Sequence, residues 1–230
     1  MTRRDSDWDA SRGMRPRSRR GLELLGELTG CLLIGCLLTG CLGRSPSVDH
    51  YMLGTSEGPS TAVGQSTADV AVLVGPVRLP AYLERPQIVR LEARGEIEFD
   101  EFSRWLGGFE ENLLRSLSLG LARELGSIRV VAHPSRPPFP LDYRVRLHVD
   151  DLVLVAQDRA LRTRIRWALI RADEDEDAAA GLFLFEQSRP VVDDSVQGLV
   201  ETHSAAVAEL VDRIAEEIRR LEASPEAIEP

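Results

Sequence analysis

The sequence predicts an α+β domain in which two long helices pack on one face of a mainly antiparallel sheet. Two observations lead to this fold class. Apolar residues recur every three or four positions in two long segments, which is the spacing of a buried helix face. Apolar residues alternate with arginines in two other segments, which is typical of strands with one buried and one solvated face.

The first strands are predicted from β-branched residues and from the turns between them. They are residues 50–53, as a short edge strand, and residues 70–74, 87–91, 96–99 and 128–131. The dipeptide Gly75-Pro76 is expected to end the strand that precedes it. Gly95 is expected to lie in the turn of a hairpin.

Two apolar stripes predict the helices. The first helix spans residues 105–125, and Gly126 follows it at the position of a C-cap. The second helix spans residues 196–221. The stripe residues are Leu106, Phe109, Leu113, Leu117, Leu121 and Leu125 in the first, and Val200, His203, Val207, Leu210, Val211, Ile214, Ile218 and Leu221 in the second.

Three longer strands between the helices are predicted to form an antiparallel meander, which gives the order β-β-β-α-β-β-β-β-α. They span residues 143–150, 161–169 and 182–187. The solvated face of this meander carries five arginines, Arg144, Arg146, Arg162, Arg164 and Arg166. These arginines have two interpretations. They form a surface for an acidic partner or lipid head groups, or they pair with the many acids of the chain on a solvated face.

The segment before this domain has the pattern of a bacterial lipoprotein signal peptide. Residues 28–40 are uncharged, and this run suits a signal peptide but is too short to span a membrane. The run ends in Leu38-Thr39-Gly40-Cys41, so Cys41 is predicted to begin the mature chain and to carry a diacylglyceryl group and an N-acyl chain such as palmitate. An uncleaved N-terminal anchor is the alternative.

Four regions are therefore predicted along the chain. Residues 1–40 are the signal peptide, residues 41–69 a lipidated N-terminus and flexible linker, residues 70–222 the folded domain, and residues 223–230 a loose tail. Leu42 follows the cysteine where an Asp would signal retention in the inner membrane. We therefore expect anchoring in the outer membrane, facing the periplasm.

The charge of the chain limits its partners. The formal net charge is −9, and the part after residue 40 holds 21 arginines against 32 acids. Such an acidic domain disfavours nucleic acid, and it should not bind anionic lipid without its anchor. Of the three cysteines, Cys31 and Cys36 lie in the signal and Cys41 would be acylated, so no disulfide is expected in the mature domain.

The domain shows no motif for catalysis, metal binding or a cofactor. No two histidines have metal-ligand spacing, and His203 on its apolar helix face is interpreted as a buried histidine. The acidic run 173–177 lacks the glycine and the closing glutamate of a calcium loop, which favours a solvated turn. Residues 193–195 precede the last helix, which favours an N-cap over a nucleophile. We therefore expect no enzymatic activity, and no cofactor other than the covalent lipid.

These residues resemble the ABC-type transport auxiliary lipoproteins, the PqiC-like group. The strongest match is residues 74–89, VGPVRLPAYLERPQIV. Supporting matches are the Cys41 motif, Tyr51-Met52-Leu53, Arg104-Trp105, Tyr143-Arg144-Val145, Trp167 and the final helix around residues 203–220.

The resemblance implies a non-catalytic auxiliary role. Such lipoproteins accompany MCE-domain proteins and their ABC transporters, which move lipids between the inner and outer membranes and support outer-membrane integrity. The implied partners are an MCE-domain protein, its transporter and the outer membrane, and a homo-oligomer is compatible with them. The alternative function is a periplasmic lipoprotein that itself binds a lipid or another small ligand.

The loop at residues 76–86 is the predicted partner-binding surface, because it combines apolar side chains with a proline-stiffened backbone. The candidate contact residues are Pro80, Tyr82, Leu83, Arg85 and Pro86. Tyr82 and Leu83 are expected to be exposed. A purely structural loop is the alternative interpretation.

Overall fold

The computed structural model describes residues 47–54, 69–172 and 179–223, which form an eight-stranded sheet and two long helices. The strands are β1 (Asp49–Tyr51), β2 (Val72–Arg78), β3 (Gln87–Leu91), β4 (Ile97–Trp105), β5 (Val130–Ala132), β6 (Tyr143–Val155), β7 (Ala160–Arg171) and β8 (Ala179–Pro190), and the helices are α1 (Phe109–Leu125) and α2 (Val196–Ala223). The predicted signal, Cys41, most of the predicted linker, the acidic run 173–177 and residues 224–230 lie outside the described residues.

Strand β6 organises the sheet. Along one edge it pairs antiparallel with β7, and β7 pairs antiparallel with β8, which is the predicted meander. Its other edge is shared, since β2 pairs parallel with the first half and β3 with residues Leu154 and Val155 at the end. Strand β5 extends the sheet beyond β2, while β4 and then β1 extend it beyond β3. The α+β class is confirmed, and the sheet is mixed, with its longest ladders antiparallel.

Both helices cover the sheet face that buries alternate residues of β6, and each packs against the other. The predicted stripes from Phe109 to Leu125 and from Val200 to Ile218 are buried in one common core. The helices approach closely at Gly120, where an added Cβ would lie 2.8 Å from Cγ2 of Val211. Only a residue without a side chain fits this crossing without displacing its neighbour.

Several predicted boundaries are wrong, and glycines explain two of them. Trp105 ends β4 rather than opening the first helix, because Gly107 (φ 74°) and Gly108 (φ 92°) turn the chain before Phe109. Leu106 in this turn is exposed and does not belong to the stripe. Strand β2 continues through Gly75 and Pro76, where a register shift against β6 and a φ of 105° at Gly75 absorb the irregularity.

The predicted helix caps are confirmed. Gly126 adopts a left-handed conformation (φ 63°), and its N–H bonds to the carbonyls of Ala122 and Arg123. At the start of α2, the Ser195 hydroxyl accepts a hydrogen bond from the Gly198 N–H at 3.0 Å.

Candidate functional site

The loop at residues 79–86 fills the gap on the β6 edge between β2 and β3. The Tyr82 hydroxyl lies there, where it accepts a hydrogen bond from the Leu152 N–H (3.3 Å) and donates one to Oδ1 of Asp151 (3.2 Å). It thus satisfies a strand N–H that neither neighbouring strand reaches. Burial raises the pKa of Tyr82 to about 12, so this hydroxyl stays protonated at neutral pH.

The expectation that Leu83 is exposed is wrong, since its side chain is 2% exposed and belongs to the core. Leu83 ends a turn in which its N–H bonds to the Pro80 carbonyl at 2.9 Å. Tyr82 is half-buried, whereas Arg85 and Pro86 are exposed. The Arg85 guanidinium lies 4.7 Å from the centre of the Phe99 ring. The loop is therefore fastened at its centre and open to solvent at its end.

A second feature is the segment just after the predicted anchor, which the helices hold in place. The carboxamide oxygen of Asn112 accepts a hydrogen bond from the Leu53 N–H (3.2 Å), and Leu53 is buried. The Asn112 amide group donates to the carbonyls of Leu106 (2.6 Å) and Gly108 (2.8 Å). One buried side chain thus joins the segment after β1, the glycine turn and α1.

Three further side chains complete this clamp. Arg115 donates to the Leu53 carbonyl (2.6 Å), Ser116 to the Gly54 carbonyl (3.1 Å), and the Ser204 hydroxyl accepts from the Gly54 N–H (2.9 Å). The clamp was not predicted from the sequence. A signal for it exists, because Asn112, Ser116 and Gly120 form a row of small and polar residues at four-residue spacing beside the apolar stripe of α1.

The third feature is the sheet face opposite the helices, which we call the open face. A bulge at Asp150, between the Val149–Ile165 and Asp151–Arg164 pairs, places two successive carboxylates on this face. Asp150 accepts two hydrogen bonds from Arg166 (2.6 and 2.8 Å), and Asp151 accepts one from Arg162 (3.0 Å). The bidentate bond with Arg166 holds the pKa of Asp150 below its usual value.

Three of the five arginines predicted for this face have acidic partners. Arg162 and Arg166 are paired with acids, and Arg164 lies 3.7 Å from a carboxylate oxygen of Glu186. For these three the interpretation as a solvated face with acid partners holds. Arg78, which was not among the five predicted arginines, joins the face from β2, and it has no carboxylate within 4.0 Å among the described residues.

The open face also holds a groove of about 690 Å³. Two rows of residues cross it from strand to strand: Arg78, His148, Arg166 and Leu184 in one, and Arg146, Ala168 and Leu182 in the other. The leucines on β8 are strongly exposed, Leu182 at 81% and Leu184 at 53%. The groove therefore has cations on its β2 and β6 side and apolar side chains on its β8 side.

The predicted buried histidine is confirmed. His203 packs against Trp105 and Phe109, with ring centres 5.5 and 6.2 Å away, and its Nδ1 donates to the Leu199 carbonyl at 2.8 Å. Burial lowers its pKa to about 4. In the described part of the chain no cluster of three acidic, histidine or cysteine side chains could hold a metal ion. Within the same residues, none of the helices combines the length and apolarity needed to cross a membrane.

These features define a class of protein: an α+β module in which the segment after the first strand is clamped to the helices and one sheet face is not covered by any described helix. The family model described as the ABC-type transport auxiliary lipoprotein component matches residues 51–215, more than half of the chain. The chain belongs to this family, as its sequence predicted, and is an auxiliary lipoprotein component of an ABC-type transport system.

Solved structures show the same fold. A protein described as uncharacterized matches with a TM-score of 0.59 and 16% identity, over 75% of this chain and 99% of its own. A DUF330 protein from Xanthomonas campestris matches with a TM-score of 0.56 and 15% identity, over 72% of this chain and 92% of its own. No curated protein sequence matches the chain.

Proposed function

We propose that this protein is a non-catalytic adaptor that is anchored in the outer membrane through a lipid on Cys41 and holds an MCE-type lipid transporter there from the periplasm. The family match supports the auxiliary role in ABC-type transport. The observation that carries the adaptor function is the clamp around Leu53 and Gly54. A tether attached at residue 41 needs a fixed point of attachment on the domain if it is to orient a docked partner.

The length of the tether fits this function. Leu53 lies twelve positions after Cys41, so an extended chain spans at most roughly 40 Å between lipid and clamp. Two acyl chains or more anchor a protein firmly, whereas one anchors it only marginally. A triacylated Cys41 would therefore hold the domain within a few nanometres of the membrane surface.

The partner surface in this proposal includes the exposed end of the loop, Arg85 and Pro86. Pro80, Tyr82 and Leu83 contribute by fixing its shape, since Tyr82 and Leu83 are fastened to β6 and to the core. The sequence predicted all five residues as contacts, whereas this proposal keeps only Arg85 and Pro86 as contacts. Substitutions at Arg85 and Pro86 test contact, while substitutions at Leu83 test folding.

The alternative function is direct binding of a lipid by this chain. An acyl chain requires an enclosed apolar cavity that buries most of its surface. The 690 Å³ groove lies instead on the open face, where its apolar wall is formed largely by Leu182 and Leu184. This geometry favours docking of a macromolecule over carriage of a lipid.

The test is a pull-down of the whole chain from crosslinked cell envelopes, beside a Cys41→Ala variant. We expect an MCE-domain protein with the wild type, and loss of outer-membrane attachment in the variant. Bound lipid without a protein partner would favour the carrier function. Unchanged membrane attachment of the variant would show that the N-terminal segment is itself the anchor.

A further inference from the structure

The open face carries positive charge on an acidic protein. On β2, β6, β7 and β8 the described charged groups of this face are six arginines and three carboxylates: Arg78, Arg144, Arg146, Arg162, Arg164 and Arg166, with Asp150, Asp151 and Glu186. The whole chain, in contrast, has a net charge of −9. A local field of opposite sign to the rest of the surface selects a partner segment that is itself acidic.

The charge and the apolar residues of the groove lie side by side. Arg78 is opposite His148 in the register of β2 and β6, His148 is opposite Arg166, and Arg166 is opposite Leu184. Neighbouring strands are about 4.8 Å apart, so this row spans roughly 14 Å. An α-helix with its side chains is about 10–12 Å wide and fits across such a width.

Arg78 is the cation best placed to receive a new carboxylate. Its side chain is exposed, and no described acidic group lies within ion-pair distance of it. Arg166 already makes two hydrogen bonds to Asp150, so its charge is partly compensated within the protein. Across the groove, the exposed Leu182 and Leu184 lie on β8, which is an edge strand of the described sheet.

We infer that the open face binds an acidic amphipathic helix of a partner protein. The apolar stripe of this helix lies on Leu182 and Leu184, and its carboxylates face Arg78 and the β6 side of the groove. Burial of two large exposed aliphatic side chains supplies the apolar contact, and the arginine row sets the polarity and orientation of the helix. The inference rests on the proposed adaptor function only in assuming that a protein partner exists.

Two other occupants fit the observations less well. A second copy placed about a two-fold axis would bring one arginine row against another, because such an interface joins the same patch of both subunits. An anionic lipid would satisfy the cations, but the two leucines would leave most of its acyl chain in water. Both are distinguishable outcomes of the experiment below.

The experiment is site-specific photo-crosslinking in intact cells that produce the whole lipoprotein. A photo-reactive amino acid replaces Leu184, and in a control protein it replaces Ile128, which is 66% exposed in the turn after α1. Each crosslinked product is digested, and mass spectrometry identifies the joined segment. We expect a Leu184 product with a segment of another protein that has net negative charge and apolar residues at helical spacing.

Charge-reversal variants make the test specific. Arg78→Glu should lower the yield of this product at least about fivefold, because it places a carboxylate opposite the acidic segment. Arg213→Glu, an equal change of charge on the exposed side of α2, should leave the yield unchanged. Thermal unfolding of each variant separates lost binding from lost folding. Reversal of one acidic residue in the identified segment should restore the product with Arg78→Glu.

Several results would overturn the inference: a product with this same chain, a product with lipid, a segment without net negative charge, or equal yields at Leu184 and Ile128. If the envelope pull-down recovers an MCE-domain protein but Leu184 gives none of the expected product, the adaptor function stands and the open-face site is wrong. If the pull-down recovers no such partner while Leu184 joins an acidic helix of another protein, the open-face site stands and the proposed adaptor function is wrong.

Discussion

The carboxamide oxygen of Asn112 and the backbone N–H of Leu53 lie 3.2 Å apart and join residues 59 positions apart in the chain. Through this bond the first helix holds the segment that leads to the predicted anchor. The same side chain also bonds two carbonyls of the turn before α1. Each hydrogen-bonding group of the carboxamide is thus used inside the protein.

Asn112→Ala should lower the free energy of unfolding by about 1–3 kcal/mol, because it leaves buried backbone groups without partners. Urea unfolding measures this loss. Asn112→Asp is the informative companion, since it keeps the acceptor for Leu53 and loses both donors. Glu110→Ala, an exposed neighbour in the same turn of α1, is the control and should change stability little. Equal stability of Asn112→Ala and the control would contradict the clamp.

Gly120→Ala should destabilise the protein by about 1–3 kcal/mol, because the new methyl group overlaps Val211 on α2. On an isolated helix the same change would be stabilising by about 1 kcal/mol. The sign of the effect therefore reports the helix crossing. In the double variant Gly120→Ala with Val211→Ala, part of the loss should be recovered, and strictly additive losses would mean that the two positions do not meet.

His203 makes stability sensitive to acid. Its folded-state pKa of about 4 lies below the unfolded value near 6.5, so between these values the unfolded chain binds more protons. Its contribution is therefore complete above pH 6.5 and is lost as the pH falls towards 4. By pH 5 the loss is roughly 2 kcal/mol relative to pH 7.5.

His203→Phe should remove this part of the pH dependence while keeping an aromatic ring beside Trp105 and Phe109. Urea unfolding at pH 7.5 and pH 5 measures the difference for both proteins. Carboxylates elsewhere titrate equally in the two proteins, so subtraction isolates the histidine. An identical loss in wild type and variant would show that His203 is protonated in the folded protein at pH 5.

In the loop at residues 79–86, Leu83 should contribute to stability, whereas Arg85 and Pro86 should contribute to partner contact. Leu83→Ala should cost about 2–5 kcal/mol of stability, because it opens a cavity in the core. Arg85→Glu should leave stability nearly unchanged, because this side chain is exposed. Chemical unfolding of the two variants, followed by recovery of the partner from crosslinked envelopes, tests both roles. Normal recovery with Arg85→Glu and with a Pro86→Ala variant would remove the loop end from the contact surface.

The sequence predicted those parts of the structure that depend on local periodicity. The stripe from Phe109 to Leu125, the meander of β6 to β8 and the cap at Ser195 each arise from residues close together in the chain. Burial of Leu83 could not be predicted in this way, since it follows from the division of the β6 edge between two distant strands. The bulge at Asp150 was missed because strict alternation ends there.

The candidate surfaces, too, were predictable only where they depend on a local pattern. The arginines of β6 and β7 were visible as an alternating pattern, but the register brings Arg78 beside His148 from a strand about seventy residues earlier. The clamp around Leu53 likewise depends on contacts of the segment after β1 with α1 and α2. A row of small polar residues beside an apolar stripe is the pattern that would have indicated it.

The shared edge of β6 has a consequence for the order in which the protein folds. The β6–β7–β8 ladders join neighbours in sequence, whereas β2 and β3 each need a partner that is synthesised more than sixty residues later. Contacts close in sequence form faster than distant ones. A chain exported from its N-terminus would therefore hold residues 72–105 without their central partner until Val155 has emerged. Pulsed hydrogen exchange should find β6 and β7 protected before β2, and until then the first half of the domain is the part that chaperones must shield.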